Sequence, residues 1–442
     1  MIIFALTVSF LAFAPPPSSA QETGLSVVDS VTTALRYSPR LQMMKRNEQA
    51  IGYERDRAFG GYLPRVDVNL GYGAEAHSDE YTRSKGNDHH YYDRTEASVR
   101  LTQLLYDGKE TASRVGIEQA KLESAGYRTL DNAEATALDA IVAHMEVYRQ
   151  QQLYQLAEQN VSDHQDILGK LDERQRAGAG SIADIDQTQG RLSRAYASLA
   201  QVEGALRSAE ANYLRTVGEL PRNLAFYNLG PEMVAENLDD ATELAKKYNP
   251  KILAYNANIT EAEKRLELSR ANFHPKFYAE LSGSHEDQVE SSETYENNFQ
   301  AMVRMRWNVF NGWSDVADYR AAHSRRLQAV AARNDQADLI MEETRATWAE
   351  LATARRQIAS FTDAVEFNRR TLDSYSKQFN VGQRTLLDVL DARNELFQSS
   401  SLLATAKANE VIAAKRLLAL NGNLIQSLGI DRELYAVNHN RQ

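Results

Sequence analysis

Three histidines share one polar stretch of the chain: His77, His89 and His90. Imidazole is a common zinc ligand, so a metal site in this stretch is conceivable. The spacing of the three residues does not define a coordination geometry, however. We therefore expect surface histidines in an exposed loop and no metal site. The acidic run from Glu286 to Glu296 has the same character, that of a solvated external loop.

Two aspartates, Asp388 and Asp391, lie three residues apart in a helix-forming stretch. Residues at this spacing share one face of a helix, where two carboxylates could act together. The simpler interpretation is a solvated first turn, because carboxylates are favoured near the start of a helix. Spacing alone leaves both interpretations open.

The sequence contains none of the common catalytic motifs. It has no Gly-rich phosphate loop, no HExxH pattern and no nucleophile elbow. The absence of cysteine excludes disulfides, thiolate zinc sites, iron–sulfur clusters and a lipidated cysteine. We therefore expect no catalytic residue, no cofactor and no enzymatic activity.

The composition is that of a folded protein with a modest acidic excess. The 442 residues are 43% hydrophobic and 25% charged, and 50 basic against 60 acidic residues give a net charge of −10. Basic residues form no block that would neutralise phosphates. A nucleic-acid partner is therefore not expected.

The N-terminus resembles an export signal. An apolar run from Ile2 to Ala14 is too short to span a membrane as a helix, and Ser18-Ser19-Ala20 offers small residues for cleavage. We predict a signal peptide at 1–20, although no Lys or Arg precedes the run. No later stretch reaches 18 apolar residues, so any membrane-spanning elements of the mature chain are expected to be strands.

The rest of the chain contains a duplication. Pro39 and Pro250 are 211 residues apart, and the prolines at 64 and 275 repeat that offset. Gly178 and Gly382 are 204 residues apart, and a shorter loop in the second copy accounts for the difference. We predict two tandem repeats, at 21–220 and 221–442.

Each repeat contains two segments in which apolar and polar residues alternate. Alternation with period two predicts strands at about 65–75 and 95–105, and at about 276–284 and 298–308. Aromatic residues flank both hairpins, as expected at a membrane interface. A soluble sandwich of half-buried strands is the alternative.

Each repeat also contains a long interval of helix formers without proline. The intervals run from Gly108 to Gly178 and from Gly312 to Gly382. About 65 helical residues would extend roughly 100 Å, far beyond a globular domain. The chain then turns at the second glycine and resumes helical periodicity. Each repeat is therefore predicted to be a β-hairpin joined to a long helical hairpin, in an α+β membrane protein.

Four strands cannot close a barrel, and single-chain barrels begin at about eight strands. An open sheet edge in a membrane leaves backbone groups unpaired at several kcal/mol each. Closure must therefore come from self-association. A trimer with twelve strands is the simplest solution, since a dimer with eight would barely open a pore.

These features resemble the TolC-type outer membrane efflux and secretion family over essentially all of the mature chain. The resemblance is carried by Ala34-Leu35 before Pro39, by the GYLP segment at 61–64, and above all by FNVGQRTLLDVLDA at 379–392. It implies a homotrimer with a 12-stranded β-barrel in the outer membrane, continued by a 12-helix α-barrel in the periplasm. The implied partners are a periplasmic adaptor protein, an inner-membrane ABC or proton-driven transporter, and outer-membrane lipid.

The resemblance also implies roles for individual residues. Asp388 and Asp391 match acidic rings at the narrow end of the tunnel, where three copies of each would favour cations. Arg384 matches the basic residue of a closed gate, and Asp184 matches its acidic partner on the neighbouring coil. Such an exposed pair is worth about 1 kcal/mol, so an adaptor could break it. Phe379 replaces the family's gate aromatic and cannot donate a hydroxyl hydrogen bond.

The same resemblance places the adaptor-docking tips at the two glycine turns. The tip residues are Gly178, Ala179 and Gly180 in the first repeat, and Val381, Gly382 and Gln383 in the second. Ala179 and Gly180 are smaller than the residues usual there, which would alter the fit of an adaptor.

The predicted function is a passive exit duct for type I protein secretion or multidrug efflux. The segment from Gly61 to Gly73 favours the type I secretion branch. The alternative is a coiled-coil scaffold or surface protein with β-hairpin caps, which would not need lipid-facing alternation. A simple porin is a third possibility, but a porin has no use for helical intervals of this length.

Overall fold

The computed structural model describes residues 24–86, 89–178, 181–229, 235, 237–289 and 295–431. The protein is mostly helical over these residues, with one small antiparallel sheet. The predicted signal at 1–20 lies outside the described residues. The elements in chain order are α1 (Val27–Tyr37), α2 (Pro39–Phe59), β1 (Arg65–Ala76), α3 (Glu80–Lys85), β2 (Tyr91–Tyr106), α4 (Glu110–Arg176), α5 (Ile182–Val217), α6 (Leu238–Tyr248), α7 (Pro250–Ala271), β3 (Lys276–Asp287), β4 (Tyr295–Arg306), α8 (Ser314–Asn380), α9 (Leu386–Leu420) and α10 (Leu424–Ser427).

The chain forms two compact units, each discontinuous in sequence. The first consists of the described parts of Met1–Arg36, Asp139–Leu229 and Arg355–Ile412. The second consists of the described parts of Tyr37–Leu138, Gly230–Ala354 and Ala413–Gln442. The first unit contains both glycine turns, and the second contains the sheet. Each unit takes segments from both halves of the chain, so the two units are not the two predicted repeats. The division into tandem repeats stays a prediction.

The helices α2 and α7 begin in the same way. Ser38 precedes Pro39, and its side chain accepts a hydrogen bond from the Leu41 amide. Asn249 precedes Pro250 and caps α7 through the amides of residues 251 and 252. A capping side chain followed by proline is a favourable helix start, because proline lacks the amide that would be unsatisfied there. This local chemistry explains the prolines at 39 and 250.

The four strands pair in the order β1-β2-β3-β4, and every neighbouring pair is antiparallel. Directly paired residues point to the same face of a sheet. In the first hairpin Val68 lies opposite Val99, and in the second Leu281 lies opposite Ala301. The pair Leu101 and Leu281 joins the two hairpins in the same register. The alternating apolar residues therefore form one continuous face across all four strands.

The strands are longer than the apolar alternation indicated. The β1 and β2 ladder continues to the pair of Ala76 with Tyr91, and the β3 and β4 ladder continues to the pair of Asp287 with Tyr295. Backbone hydrogen bonds continue through polar residues, which carry no alternation signal. At the opposite end β4 stops at Arg306, so Trp307 lies just beyond it.

The corner between β2 and α4 explains why Asp107 and Gly108 precede the long helix. Asp107 accepts a hydrogen bond from the Thr111 amide at 2.7 Å, which caps the start of α4. Gly108 has a φ of 66°, and a Cβ there would lie 2.5 Å from the His274 Cβ. Glycine is therefore required at this corner by both conformation and space.

The polar stretch between β1 and β2 contains the short helix α3. Its N-cap, Asp79, and Thr82 exchange hydrogen bonds in a capping box. His77 approaches the Asp79 carboxylate at 3.7 Å, and His90 packs against Tyr92. Within the part of the chain that the structure describes, no group of three or more His, Cys, Asp or Glu could hold a metal ion.

The long helices α4 and α8 each contain 67 residues, which corresponds to about 100 Å. Among the described residues, no helix has both the length and the apolar character needed to cross a membrane.

Candidate functional site

The two glycine turns have the same backbone geometry. Gly178 and Gly382 each have a φ of 78°, a left-handed conformation that glycine adopts at little cost. The Gly178 amide donates to the Gln175 carbonyl at 2.9 Å, and the Gly382 amide donates to the Phe379 carbonyl at 3.0 Å. A Cβ at either glycine would meet nothing within 4 Å. The backbone conformation, and not a lack of space, therefore requires glycine here.

The predicted docking residues that the structure describes are all exposed. Val381 is 69% exposed, an unusual position for a β-branched apolar residue. Gln383 is also exposed, and its amide donates to the Gln378 carbonyl at 2.9 Å. Ala179 and Gly180 lie outside the described residues. The role of these positions in adaptor docking stays a prediction.

A hydrophobic cluster lies between α4, α8 and α9 near the second turn. Its buried members are Ile167, Leu171, Phe379, Leu386, Val389 and Leu390, with Ile185, Leu372 and Tyr375 packed at its edge. Burying such side chains stabilises a structure by roughly 1.5–3 kcal/mol each. The cluster holds the ends of these helices in a defined position.

Phe379 belongs to this cluster. It is 9% exposed, and the Arg174 guanidinium lies 4.4 Å from its ring centroid. The ring therefore acts through packing and a cation–π contact. Its predicted place among the gating residues stays untested, but its contacts are those of a core residue.

Arg384 lies beside the second turn and contacts three neighbours. Its Nε donates to the Gln378 side-chain oxygen at 3.0 Å, and its Nη1 lies 3.7 Å from the Asp388 carboxylate. Its guanidinium carbon lies 4.2 Å from the Tyr375 ring centroid. These contacts hold the arginine against its own hairpin.

Sequence reasoning missed Tyr375. The signal was present, because Tyr375 precedes Phe379 by four residues and so lies on the same face of α8. Unlike Phe379, it carries a hydroxyl. Because its ring contacts Arg384, Tyr375 is an aromatic residue beside one of the predicted gating residues.

Asp388 forms a capping box at the start of α9. Its carboxylate accepts hydrogen bonds from the Thr385 hydroxyl at 2.7 Å and from the Thr385 amide at 3.2 Å. The Asp388 amide in turn donates to the Thr385 hydroxyl oxygen at 3.3 Å. The Thr385 hydroxyl, then its amide and the charge of Arg384, lower the pKa of Asp388 below its usual value. The carboxylate therefore stays ionised.

Asp391 has a different partner, the Arg191 side chain on α5. The Arg191 Nη1 donates to the Asp391 Oδ1 at 2.6 Å. The Arg191 side chain is 20% exposed and that of Asp391 is 62% exposed. Two residues further along α9, Arg393 pairs with Asp163 on α4. Neither pairing was predicted, because the partners are far apart in the sequence.

Asp184 lies in the first turn of α5. It lines a small cavity of about 130 Å³ together with Thr188, Thr385 and Leu390. The Thr188 hydroxyl donates to the Asp184 carbonyl at 2.8 Å. The structure thus brings Asp184 close to the residue that follows Arg384, while the link between Arg384 and Asp184 stays a prediction.

A separate buried network lies in the same compact unit. The His144 Nδ1 is 2.8 Å from the Ser30 Oγ, and Ser30 is 2.8 Å from the Tyr213 hydroxyl. The His144 Nε2 is 2.9 Å from the Ala225 carbonyl, to which it donates. Burial lowers the pKa of His144, so the ring is neutral and Nδ1 accepts from Ser30. His144, Ser30 and Tyr213 are all fully buried, so the network joins structural elements and presents no surface to a substrate.

The sequence matches the family described as outer membrane efflux protein over residues 31–219 and 241–423. It is 25% identical to the outer membrane efflux protein BepC of Brucella suis biovar 1, over 74% of this chain and 72% of that protein. It is 23% identical to the alkaline protease secretion protein AprF of Pseudomonas aeruginosa, over 94% of this chain and 87% of that protein. The structure resembles the CmeC outer membrane channel of Campylobacter jejuni with a TM-score of 0.79 and 12% identity, covering 97% of this chain and 99% of that chain.

Proposed function

The chain belongs to the outer membrane efflux protein family, and from this premise we propose that three copies assemble into an exit duct across the outer membrane. Each copy contributes four strands to a twelve-stranded barrel and four helices to a twelve-helix tunnel. The duct is passive, and its energy comes from an inner-membrane transporter.

One observation carries this proposal: the sheet has a continuous apolar face that is open to its surroundings. Val66, Val68 and Leu70 on β1 are 58%, 60% and 79% exposed, and Phe299 and Val303 on β4 are 79% and 68% exposed. A contiguous apolar surface of this kind needs lipid or a partner to cover it. The opposite face carries mostly polar and charged side chains, as the lining of a water-filled barrel would.

The strand order supports self-association. In the described residues β1 and β4 are the outer strands of the sheet. Each outer strand presents one row of backbone donors and acceptors, which in a bilayer costs several kcal/mol for each unpaired group. Pairing β1 of one copy with β4 of the next satisfies both rows. Repetition around a threefold axis closes the barrel.

The proposed partners follow from the tips and from the relatives. A periplasmic adaptor docks on Gly178 to Gly180 and on Val381 to Gln383, and an inner-membrane ABC or proton-driven transporter supplies the cargo. AprF is named for alkaline protease secretion. That name supports protein cargo and the type I secretion branch for this chain. Multidrug efflux is the second candidate, supported by BepC, which is named an efflux protein.

The proposed gate lies at the glycine turns. Asp388 and Asp391 form acidic rings at the narrow end, and Arg384 reaches Asp184 of a neighbouring coil when the tunnel is closed. The position of Arg384 supports this role, because its side chain lies beside the second turn. Asp184 supports it by lining the adjacent cavity.

The first test concerns the apolar face. Leu70→Lys places a charge on that face, whereas Asn69→Lys places the same charge on the opposite face of the same strand. A charge facing lipid costs roughly 2–4 kcal/mol near the bilayer midplane. We expect Leu70→Lys to reduce the trimer recovered from outer membranes strongly and Asn69→Lys to retain it. Equal recovery of the two variants would contradict the proposed lipid-facing surface.

The second test concerns the duct itself. Purified trimer in planar lipid bilayers should show a small, cation-selective conductance. Asp388→Ala combined with Asp391→Ala should remove the selectivity, and Arg384→Ser should raise the conductance. A detergent-extracted protein without any channel activity would favour the coiled-coil scaffold. A large conductance that does not change with these substitutions would be consistent with the barrel but would contradict the proposed gate.

A further inference from the structure

Arg191 is the charged partner of Asp391 within a single copy of the chain. The hydrogen bond between its Nη1 and the Asp391 Oδ1 is 2.6 Å long, and charge-assisted bonds of this kind are shorter and stronger than neutral ones. The arginine side chain is 20% exposed, so it is packed between helices rather than free in solvent. The guanidinium is therefore held close to one particular carboxylate.

The two aspartates proposed for the narrow end thus differ in electrostatic character. Asp388 accepts hydrogen bonds from Thr385, a neutral residue, and forms a longer ion pair of 3.7 Å with Arg384. Asp391 is hydrogen bonded directly to a cation. A carboxylate and a guanidinium in contact act together as a dipole, and the field of a dipole falls off faster than that of a single charge.

We infer that Arg191 is a specificity-determining residue, the counter-ion that sets the charge of the Asp391 position. In the duct, a ring of three paired Asp391 carboxylates attracts cations weakly, and selectivity rests mainly on the Asp388 ring. This inference rests on the proposed function, because it assumes that three copies bring these residues around one axis.

The surroundings of Asp391 support a dedicated role for Arg191. The nearby arginine on the same helix, Arg393, is already paired with Asp163. One turn further along α9 stands Glu395, which adds negative charge. Arg191 is thus the cation that contacts Asp391 directly, and its removal would leave a concentration of negative charge along this face of α9.

The chain offers a matched control for this idea. Arg191→Gln and Arg393→Gln each remove one positive charge and break one ion pair with a partner on another helix. Only the first variant releases Asp391. Any effect of total charge is therefore common to both variants, and an effect of the counter-ion is seen in Arg191→Gln alone.

The experiment measures block of the trimeric channel by Mg²⁺ in planar bilayers, together with the reversal potential in a KCl gradient. We expect Arg191→Gln to lower the half-blocking Mg²⁺ concentration roughly tenfold or more, because an unpaired acidic ring raises the local cation concentration by such factors. The Arg393→Gln channel should stay within about twofold of wild type on the same electrostatic argument.

A double-mutant cycle tests the mechanism. Asp391→Asn should weaken Mg²⁺ block far more in the Arg191→Gln background than in the wild-type background. Equal effects in the two backgrounds, or equal behaviour of Arg191→Gln and Arg393→Gln, would overturn the counter-ion role while leaving the duct intact. A wild-type trimer that conducts no ions would instead reject the proposed function. Native mass spectrometry confirms that each variant measured is a trimer.

Discussion

The two glycine turns have matching backbones but different side-chain chemistry. Gly178 and Gly382 share a φ of 78° and the same type of closing hydrogen bond. Around the second turn, Arg384 and Asp388 form a connected set of hydrogen bonds and ion pairs. At the first turn, the N-cap Ser181 of α5 forms no side-chain hydrogen bond to the helix.

Residues 204 positions apart show how much the two turns differ in packing and charge. Ile182 is 67% exposed, whereas its counterpart Leu386 is 8% exposed and belongs to the hydrophobic cluster. Asp391 corresponds to the uncharged Gln187, and Arg191 corresponds to Glu395. The two turns therefore share their local backbone conformation, while packing and charge differ between them. The second turn has the more extensive side-chain contacts of the two.

The largest expected contrast concerns packing at the two helix starts. Leu386→Ala should lower the local unfolding free energy of the tip by about 2–4 kcal/mol, because it leaves a cavity in a buried cluster. Ile182→Ala at the matched position should change it by less than about 0.5 kcal/mol, as exposed substitutions do. Hydrogen exchange of the tip amides measures both values. Similar losses for the two variants would contradict the packing difference.

The next contrast tests what the turns have in common. Gly178→Ala and Gly382→Ala should each cost about 1–2 kcal/mol, because an L-residue is strained in the left-handed conformation. No added steric clash is expected, since a Cβ at either position would meet nothing within 4 Å. Hydrogen exchange should therefore show equal losses. A much larger loss at one turn would show that the shared geometry conceals a local steric constraint.

A smaller contrast concerns the helix caps. Thr385→Ala should cost about 1 kcal/mol, because it removes the hydroxyl of the capping box at the start of α9. Ser181→Ala should change stability by only a few tenths of a kcal/mol, since that side chain caps nothing in the structure. Proteolysis at the two tips provides the readout. For each variant, the cleavage rate at its own tip is compared with wild type. A larger increase in Ser181→Ala than in Thr385→Ala would refute the assignment of the cap to Thr385.

The smallest expected effect is a pH dependence of the second turn alone. The pKa of Asp388 is lowered in the folded protein, chiefly by the Thr385 hydroxyl. The unfolded carboxyl titrates near pH 3.9, so its contribution is complete above that pH and is lost as pH falls through the lower folded value. Hydrogen exchange at acidic pH should show this loss, and Asp388→Asn should abolish it. A variant that keeps the wild-type pH profile would remove Asp388 as its cause.

Much of the fold could be predicted because its signals are local. Alternation with period two marked all four strands, and the glycine turns and proline-led helix starts depend on single residues and their neighbours. The family resemblance was confirmed by the match over both halves of the chain. The strand ends were less well defined, because backbone pairing extends into polar residues such as Asp287 that carry no periodic signal.

The candidate site was only partly predictable. Arg384, Asp388 and Asp391 came from a contiguous motif, and their assigned roles stay predictions. Tyr375 was missed although its spacing from Phe379 was informative, because the interpretation looked for an aromatic residue at one position only. The buried network of Ser30, His144 and Tyr213 was missed because its members come from three separate helices.

The sequence by itself determined the elements of this protein: which segments are strands, which are long helices, and where glycine lets the chain turn. These properties depend on interactions between residues a few positions apart. The tertiary structure alone decided which charges meet, as in the pairing of Arg191 with Asp391 across 200 positions. Composition cannot encode such a pairing, because it arises only when packing brings two distant helix faces within hydrogen-bond distance.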